Sequence, residues 1–195
     1  MSDLKTHLAS RRSVSIPLLS APAPEGEELD AILQLAVRVP DHGKLAPWRL
    51  ILIRGEAAKQ LGRQFADLVE SRETEPLPEV RRGFEESRFT RAPLVICVVS
   101  TARPHVKIPE WEQVLSAGAL TMNLIHAIYA YGYGANWVTE WPTYDDEAKK
   151  LLGIDAQEKV VGFVYVGTAE STLSERPRPA LADIVSEVAV AHEPA

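Results

Sequence analysis

Cysteine is nearly absent from this sequence, because Cys97 is the single one among 195 residues. An internal disulfide is therefore excluded. Cys97 lies in the apolar run APLVICVVS, with no basic residue close in sequence to lower its pKa. A buried packing role is therefore favoured over a nucleophilic one.

Metal and nucleophile motifs are also missing. The five histidines have none of the close HxxxH-type spacings, and one cysteine is too few to assist them, so we predict no metal site. The sequence contains no GxSxG nucleophile elbow and no GxxxxGK[ST] phosphate loop. These absences argue against an acyl-transfer hydrolase and against a P-loop nucleotide site.

Positive charge is in deficit, with 21 Lys and Arg against 27 Asp and Glu and a net charge of −6. A general binder of nucleic-acid backbones needs clustered cations, so we expect no nucleic-acid partner. No run approaches the roughly eighteen apolar residues of a membrane span, and the N-terminal segment has no apolar signal-peptide core. We expect a cytoplasmic protein without a membrane partner, folded as a single domain over residues 1–195.

Helical and strand patterns interleave without the regular alternation of a doubly wound sheet. This order predicts an α+β domain with one small mixed sheet among helices. In the helix predicted over 142–153, Thr143 is the expected N-cap. The charged segment 74–91 is predicted as a helical excursion with a solvated face, with a substrate-side lid as the alternative. The other predicted helices are 3–10, 24–39, 56–73 and 109–134, and the predicted strands are 50–53, 92–100, 135–140 and 159–168.

The segment GYGANW begins like a dinucleotide-binding fingerprint, with Gly132 and Gly134. Its sixth position is Trp137, however, and its glycines follow a helix, whereas the fingerprint must follow a strand. We therefore predict a helix end followed by a strand. A nicotinamide nucleotide, if one is used, is not expected to occupy a Rossmann pocket.

Two polar segments remain as candidate sites. In SRRS, Arg11 and Arg12 can fork onto a phosphate while Ser13 donates from its hydroxyl, or the arginines can merely complement the dipole of the preceding helix. In VPDHGKLAPW, His42 can reach a ligand or only cap its own turn. His126 lies inside the long helix and is favoured as a satisfied core histidine. The residues alone leave these alternatives open.

Taken in chain order, RRS, PDHGKLAPWR, RAPLVICVVS, IPEWEQVLSAGAL and VGFVYVGT resemble the flavin-dependent nitroreductase family, in its short NAD(P)H nitroreductase type. The likeness runs from about residue 4 to 168, which we take as the core of the domain. It implies a nitroreductase-like α+β fold with a small, mainly antiparallel sheet surrounded by helices. It also implies a homodimer with FMN at the subunit interface, and the tail 169–195 is expected to pack on the partner subunit.

The resemblance further implies an oxidoreductase that takes hydride from NADH or NADPH. A nitroaromatic, a quinone or a related small acceptor is then reduced in a ping-pong cycle. The flavin N5 carries this chemistry, so no catalytic side chain is expected. The alternatives are a family member with another reaction, such as dehalogenation or flavin breakdown, and an FMN carrier without turnover.

Site residues follow from the same resemblance. Arg11, Arg12 and Ser13 match the segment that grips the FMN phosphate and ribityl chain. Arg38 and His42 match positions that approach the same flavin from the partner subunit. The strand beside the isoalloxazine ring is matched by Trp137, Val138, Thr139 and Glu140, and nicotinamide nucleotide contact is implied for Ile128, Tyr129, Ala130, Tyr131, Gly132 and Tyr133.

The sequence departs from larger relatives just after Ser13. Their motif continues with another cation, whereas Ile16 stands here without a charge. The tail segment ERPRP supplies Arg176 and Arg178, and we hypothesise that Arg178 replaces the missing cation at the phosphate.

Overall fold

An antiparallel sheet forms the middle layer of the protein. The structure is a computed structural model that describes residues 4–169 and 174–188. The strands are β1 (Leu19–Ser20), β2 (Trp48–Ile53), β3 (Leu94–Ser100), β4 (Gly134–Val138) and β5 (Lys159–Ala169). The helices are α1 (Leu4–Ser10), α2 (Gly26–Ala36), α3 (Gly55–Glu70), α4 (Glu79–Glu86), α5 (Glu110–Ala130) and α6 (Asp146–Leu151).

Strand β5 organises the sheet, because it pairs with β1, β3 and β4, while β2 extends the sheet beyond β3. All four of these pairings are antiparallel. The predicted α+β class with a mainly antiparallel sheet is confirmed.

Both faces of the sheet are covered, so β3 is buried along its whole length. Successive side chains of a strand point to opposite faces. Val95 and Cys97 accordingly join a cluster that includes α3, whereas Ile96 and Val98 join a second cluster with α2 and α5. Burial raises the pKa of the Cys97 thiol to about 12. The predicted packing role of Cys97 therefore agrees with its position in the core.

Helix α5 is the longest helix and lies against the sheet. It ends at Ala130, four residues before the predicted bound, and the first of the two predicted stop glycines, Gly132, takes a φ of +87°, a conformation that favours glycine. The amide of Tyr133 then donates to the carbonyl of Ile128 at 3.2 Å and closes the last turn. One face of α5 is apolar and incompletely covered in this chain: Trp111 and Leu115 are exposed, and Gly118, Ala119 and Met122 are partly exposed.

One expectation from the sequence was wrong, and another holds only in part. The N-cap of α6 is Asp145, whose carboxylate accepts the amide of Ala148, whereas Thr143 lies in a preceding 3₁₀ turn. Aspartate caps a helix at least as well as threonine, and it stands directly before the first helical turn. Segment 74–91 contains helix α4 as predicted, but it is not simply solvated, because Arg88 and Phe89 are 2% and 1% exposed.

Candidate functional site

The segment Arg11–Ser13 follows α1 and lies beside the start of β4. The amide of Val14 donates to the carbonyl of Ala135 at 3.0 Å. The hydroxyl of Tyr129 donates to the carbonyl of Arg12. These hydrogen bonds fix the backbone on both sides of Ser13, whose side chain is exposed. A third hydrogen bond comes from the side-chain amide of Asn136, which donates to the carbonyl of Val14 at 2.6 Å.

Arg12 of this segment and Arg178 of the tail meet at one carboxylate, whereas Arg11 lies apart from it over an aromatic ring. The guanidinium of Arg11 lies 5.7 Å from the centre of the Tyr129 ring and makes no ion pair within residues 4–169 and 174–188. Arg12 Nε is 3.5 Å from Glu175 Oε1, and Arg178 Nη2 is 3.1 Å from the same oxygen. One carboxylate thus already contacts two of the three arginines, which is the arrangement expected of an anion site.

The strand segment predicted to pass the flavin offers its backbone more than its side chains. Val138 packs on the core cluster beside α3. The ring of Trp137 lies over Gly162, and a Cβ added to Gly162 would come within 2.1 Å of the Trp137 Nε1 atom. The same Nε1 atom donates to the carbonyl of Val161 at 3.2 Å. Thr139 is exposed. Among the described strands β4 pairs with β5 only, so its other edge beyond Ala135 keeps backbone groups available for hydrogen bonds.

Glu140 belongs to a buried ion network that sequence reasoning missed. Its Oε2 atom accepts hydrogen bonds of 2.5 Å from Arg88 and from Arg91. Arg88 also binds Glu85 at 2.6 Å, and Arg91 donates to the hydroxyl of Tyr165 at 2.8 Å. Burial favours the neutral acid, but the hydrogen bonds and charges of the two arginines outweigh it and lower the pKa of Glu140. Burial raises the pKa of Tyr165 to about 12.

The loop that carries His42 runs along α5 toward its first turn. The carbonyl of Pro40 accepts from the hydroxyl of Ser116 at 2.7 Å, and His42 Nδ1 lies 2.7 Å from Glu112 Oε2. Glu112 and Tyr129 are seventeen residues apart on one helix, which is about 25 Å at 1.5 Å per residue. Within one chain the structure therefore separates His42 from Arg11–Ser13.

A cavity of about 740 Å³ lies between α1, α2 and α5. Arg38 and residues 129–132, the middle of the stretch predicted to contact the nucleotide, line this cavity. The two ends of that stretch do not line it: Ile128 is fully buried in the core, and the Tyr133 hydroxyl donates to Glu28 at 2.6 Å. His126 lies at this cavity and not in the core; it is satisfied, however, by His7 at 2.8 Å. The lining consists of Leu4, His7, Leu35, Arg38, Asn123, His126, Ala127, Tyr129, Ala130, Tyr131 and Gly132.

The described residues contain no cluster of three or more His, Cys, Asp or Glu side chains that could hold a metal ion. In the same part of the chain, no helix has the length and apolar character needed to cross a membrane.

Two curated relatives are similar over most of the chain. The protein named "Putative NAD(P)H nitroreductase YdjA" from Escherichia coli (strain K12) is 35% identical over 165 residues, which is 84% of this chain and 86% of the relative. A protein of the same description from Haemophilus influenzae (strain Rd) is 36% identical over 168 residues, 85% of this chain and 88% of the relative.

Solved structures share the fold. A nitroreductase-like family protein from Bacillus cereus superposes with a TM-score of 0.80 at 21% identity, covering 96% of this chain and 97% of its own. The FMN-dependent nitroreductase NfnB from Mycobacterium smegmatis, determined in complex with NADPH, gives a TM-score of 0.71 at 19% identity, with 94% and 97% covered.

The model of the Nitroreductase family matches residues 8–168 of this sequence. The match includes RRS and every later motif on which the resemblance was drawn. The chain therefore belongs to the Nitroreductase family.

Proposed function

We propose that this protein is an FMN-dependent oxidoreductase that takes hydride from NADH or NADPH and passes it to a nitroaromatic, quinone or related small acceptor in a ping-pong cycle. The observation that carries the proposal is the anchored Arg11–Ser13 segment beside the unpaired edge of β4, in a chain of the Nitroreductase family. The names of the relatives support it, since two carry the name NAD(P)H nitroreductase and NfnB is described as FMN-dependent.

The donor set suits FMN. A phosphate dianion needs charge-assisted hydrogen-bond donors, which Arg11, Arg12 and the Ser13 hydroxyl can supply. Among the described residues, no buried carboxylate is paired with these donors. Glu175 supports an anion site here, because its carboxylate contacts both Arg12 and Arg178. When bound, FMN supplies an N5 atom that accepts and returns a hydride.

The chain's own part in this function is binding and orientation. Backbone groups along the free edge of β4 can hydrogen-bond to the polar edge of a flavin ring without any acid or base. Arg88 and Arg91 hold the Glu140 carboxylate, so the chain direction at the end of β4 is fixed. No catalytic side chain is required for hydride transfer, and none is proposed.

A homodimer with FMN at the subunit interface completes the proposal. The distance of about 25 Å along α5 between the contacts of His42 and of Arg11–Ser13 suggests that His42 serves the flavin of the partner subunit, and we propose the same for Arg38. The exposed apolar face of α5 supports a large interface. The tail presents Leu181, Ile184 and Val185 at 73%, 64% and 62% exposure, which supports its packing on the partner.

An absorbance spectrum of the purified protein tests the function. We expect a yellow protein with about one FMN per chain, and anaerobic NADH or NADPH should bleach it. With an acceptor present, turnover should continue and double-reciprocal plots should be parallel. Bleaching of one equivalent without turnover would identify a carrier, and a colourless protein that takes up no added FMN would refute the proposal.

Arg178 is proposed to join the phosphate site by leaving Glu175. Arg178→Ala should lose FMN during gel filtration, whereas Arg176→Ala is the matched control, since it removes a neighbouring tail cation that has no described ion pair. Equal retention of FMN by the parent and both variants would count against this role.

A further inference from the structure

Helix α1 cannot hold the Arg11–Ser13 segment by packing, because none of its described residues is buried. The backbone hydrogen bonds of Val14 hold the chain after Ser13, whereas the two arginines precede Ser13. The contacts of the two arginines themselves must therefore decide where their side chains stand.

Tyr129, in the last turn of α5, contacts the Arg11 side chain and the Arg12 backbone. The Arg12 side chain itself contacts Ser174 and Glu175. The hydroxyl of Tyr129 donates to the carbonyl of Arg12 and lies 3.3 Å from the carbonyl of Ala135, so it bridges the arginine segment to β4. The guanidinium of Arg11 lies over the Tyr129 ring at 5.7 Å. A guanidinium held over an aromatic ring keeps its in-plane N–H donors for a second partner.

A histidine pair extends this contact to α1. His7 Nε2 and His126 Nδ1 are 2.8 Å apart, and the His7 ring lies 6.2 Å from the Tyr129 ring. His126 and Tyr129 are three residues apart on α5 and therefore lie on neighbouring positions of its surface. Together they hold the end of α1 that leads into Arg11.

We propose that Tyr129 is a positioning residue that sets Arg11 and Arg12 in the arrangement that binds the phosphate of the flavin, an inference that rests on the proposed function. Long arginine side chains lose conformational entropy when they bind an anion, and prior ordering lowers that cost. Tyr129 does not touch the reacting atoms. Its effect reaches the cofactor through the two arginines, so it should appear in phosphate recognition.

The test compares FMN with riboflavin, which has the same ring and no phosphate. Tyr129→Phe keeps the ring under Arg11 and removes only the hydroxyl that holds Arg12. We expect about a tenfold loss of FMN affinity, as for one hydrogen bond, with riboflavin affinity unchanged. Tyr144→Phe is the matched control, because Tyr144 is 75% exposed, lies outside the segments assigned to the flavin or the nucleotide and has no described side-chain hydrogen bond.

Tyr129→Leu, which also removes the ring, should lose more FMN affinity than Tyr129→Phe. Urea midpoints measured without flavin keep stability separate from binding. Equal losses for FMN and riboflavin, or no loss for either, would overturn the positioning role while the function stands. A wild-type protein that binds neither flavin would instead overturn the proposed function, and this inference with it.

Discussion

Two pairs of arginines flank β4, and their surroundings are opposite. At its far end Arg88 and Arg91 are surrounded by acceptors, with Glu140 bound to both and Glu85 bound to Arg88. At its start Arg11 lies over an aromatic ring, and Arg12 Nε donates to the carbonyl of Ser174 at 3.2 Å and lies 3.5 Å from the exposed carboxylate of Glu175. The first pair is charge-balanced and its Arg88 is buried, so it stabilises the fold. The second pair keeps spare donors, so it can bind a ligand.

The largest expected effect comes from breaking the balanced pair. Arg88→Met should lower the free energy of unfolding by about 3–5 kcal/mol, because Glu85 is left buried without its cation. Arg81→Met is the control, since Arg81 on α4 pairs with Glu73 at the surface and should cost less than about 1 kcal/mol. Urea denaturation of both variants measures this. A drop below 1 kcal/mol for Arg88→Met would mean that the network contributes little.

The unbalanced pair should show the reverse pattern. Arg11→Ala should weaken FMN binding by roughly 10- to 100-fold, as expected for a charge-assisted hydrogen bond to phosphate. The unfolding free energy without flavin should change by less than about 1 kcal/mol, because only a contact with the Tyr129 ring is lost. Fluorescence titration with FMN and urea melts of the apoprotein check the two halves. A large loss of stability would erase the contrast between the pairs.

The pH dependence of stability should also reflect the balanced pair, through Glu140. The pKa of Glu140 is lower in the folded chain than its usual value, so this carboxylate stabilises the fold at neutral pH. That contribution is lost as the pH falls from the usual glutamate range through the lowered folded pKa. The free energy of unfolding should therefore fall as the pH is lowered through and below about 4.5, the usual glutamate value. Glu140→Gln should show a shallower fall over that range in urea melts, and an unchanged slope would contradict the role of Glu140.

The smallest effect is expected at the tail. Glu175→Gln removes the carboxylate that occupies Arg12 and Arg178, so FMN should bind about two- to fivefold more tightly. Stability should hardly change, since the Glu175 carboxylate is exposed. Isothermal titration calorimetry at low salt measures the gain. Weaker binding would indicate that Glu175 orders the two arginines instead of competing for them.

Most helices and strands were predictable because their hydrophobic periods are local. The apolar run of β3 and the glycine stop of α5 depend on neighbouring residues, and both were placed correctly. The cap of α6 was wrong because Thr143 and Asp145 are both good cap residues in one short stretch, and only the preceding turn selects between them.

The ion network was beyond sequence reasoning. Glu85, Arg88 and Arg91 looked like part of a solvated charge run, and Glu140 and Tyr165 come from distant segments. Only the folding of β4 and β5 brings these groups together. At the candidate site the residues supplied two open alternatives for Arg11 and Arg12, and the resemblance chose between them. The separation of His42 from that segment needed the structure, because it depends on the path of the loop along α5.

The buried position of Cys97 has a practical use. A thiol that is fully covered and holds its proton to about pH 12 is protected from alkylating reagents at neutral pH. Since the chain has one cysteine, any cysteine introduced on the surface becomes the site of selective labelling. A fluorophore attached beside Leu181 could then report the movements of the tail without further engineering of the protein.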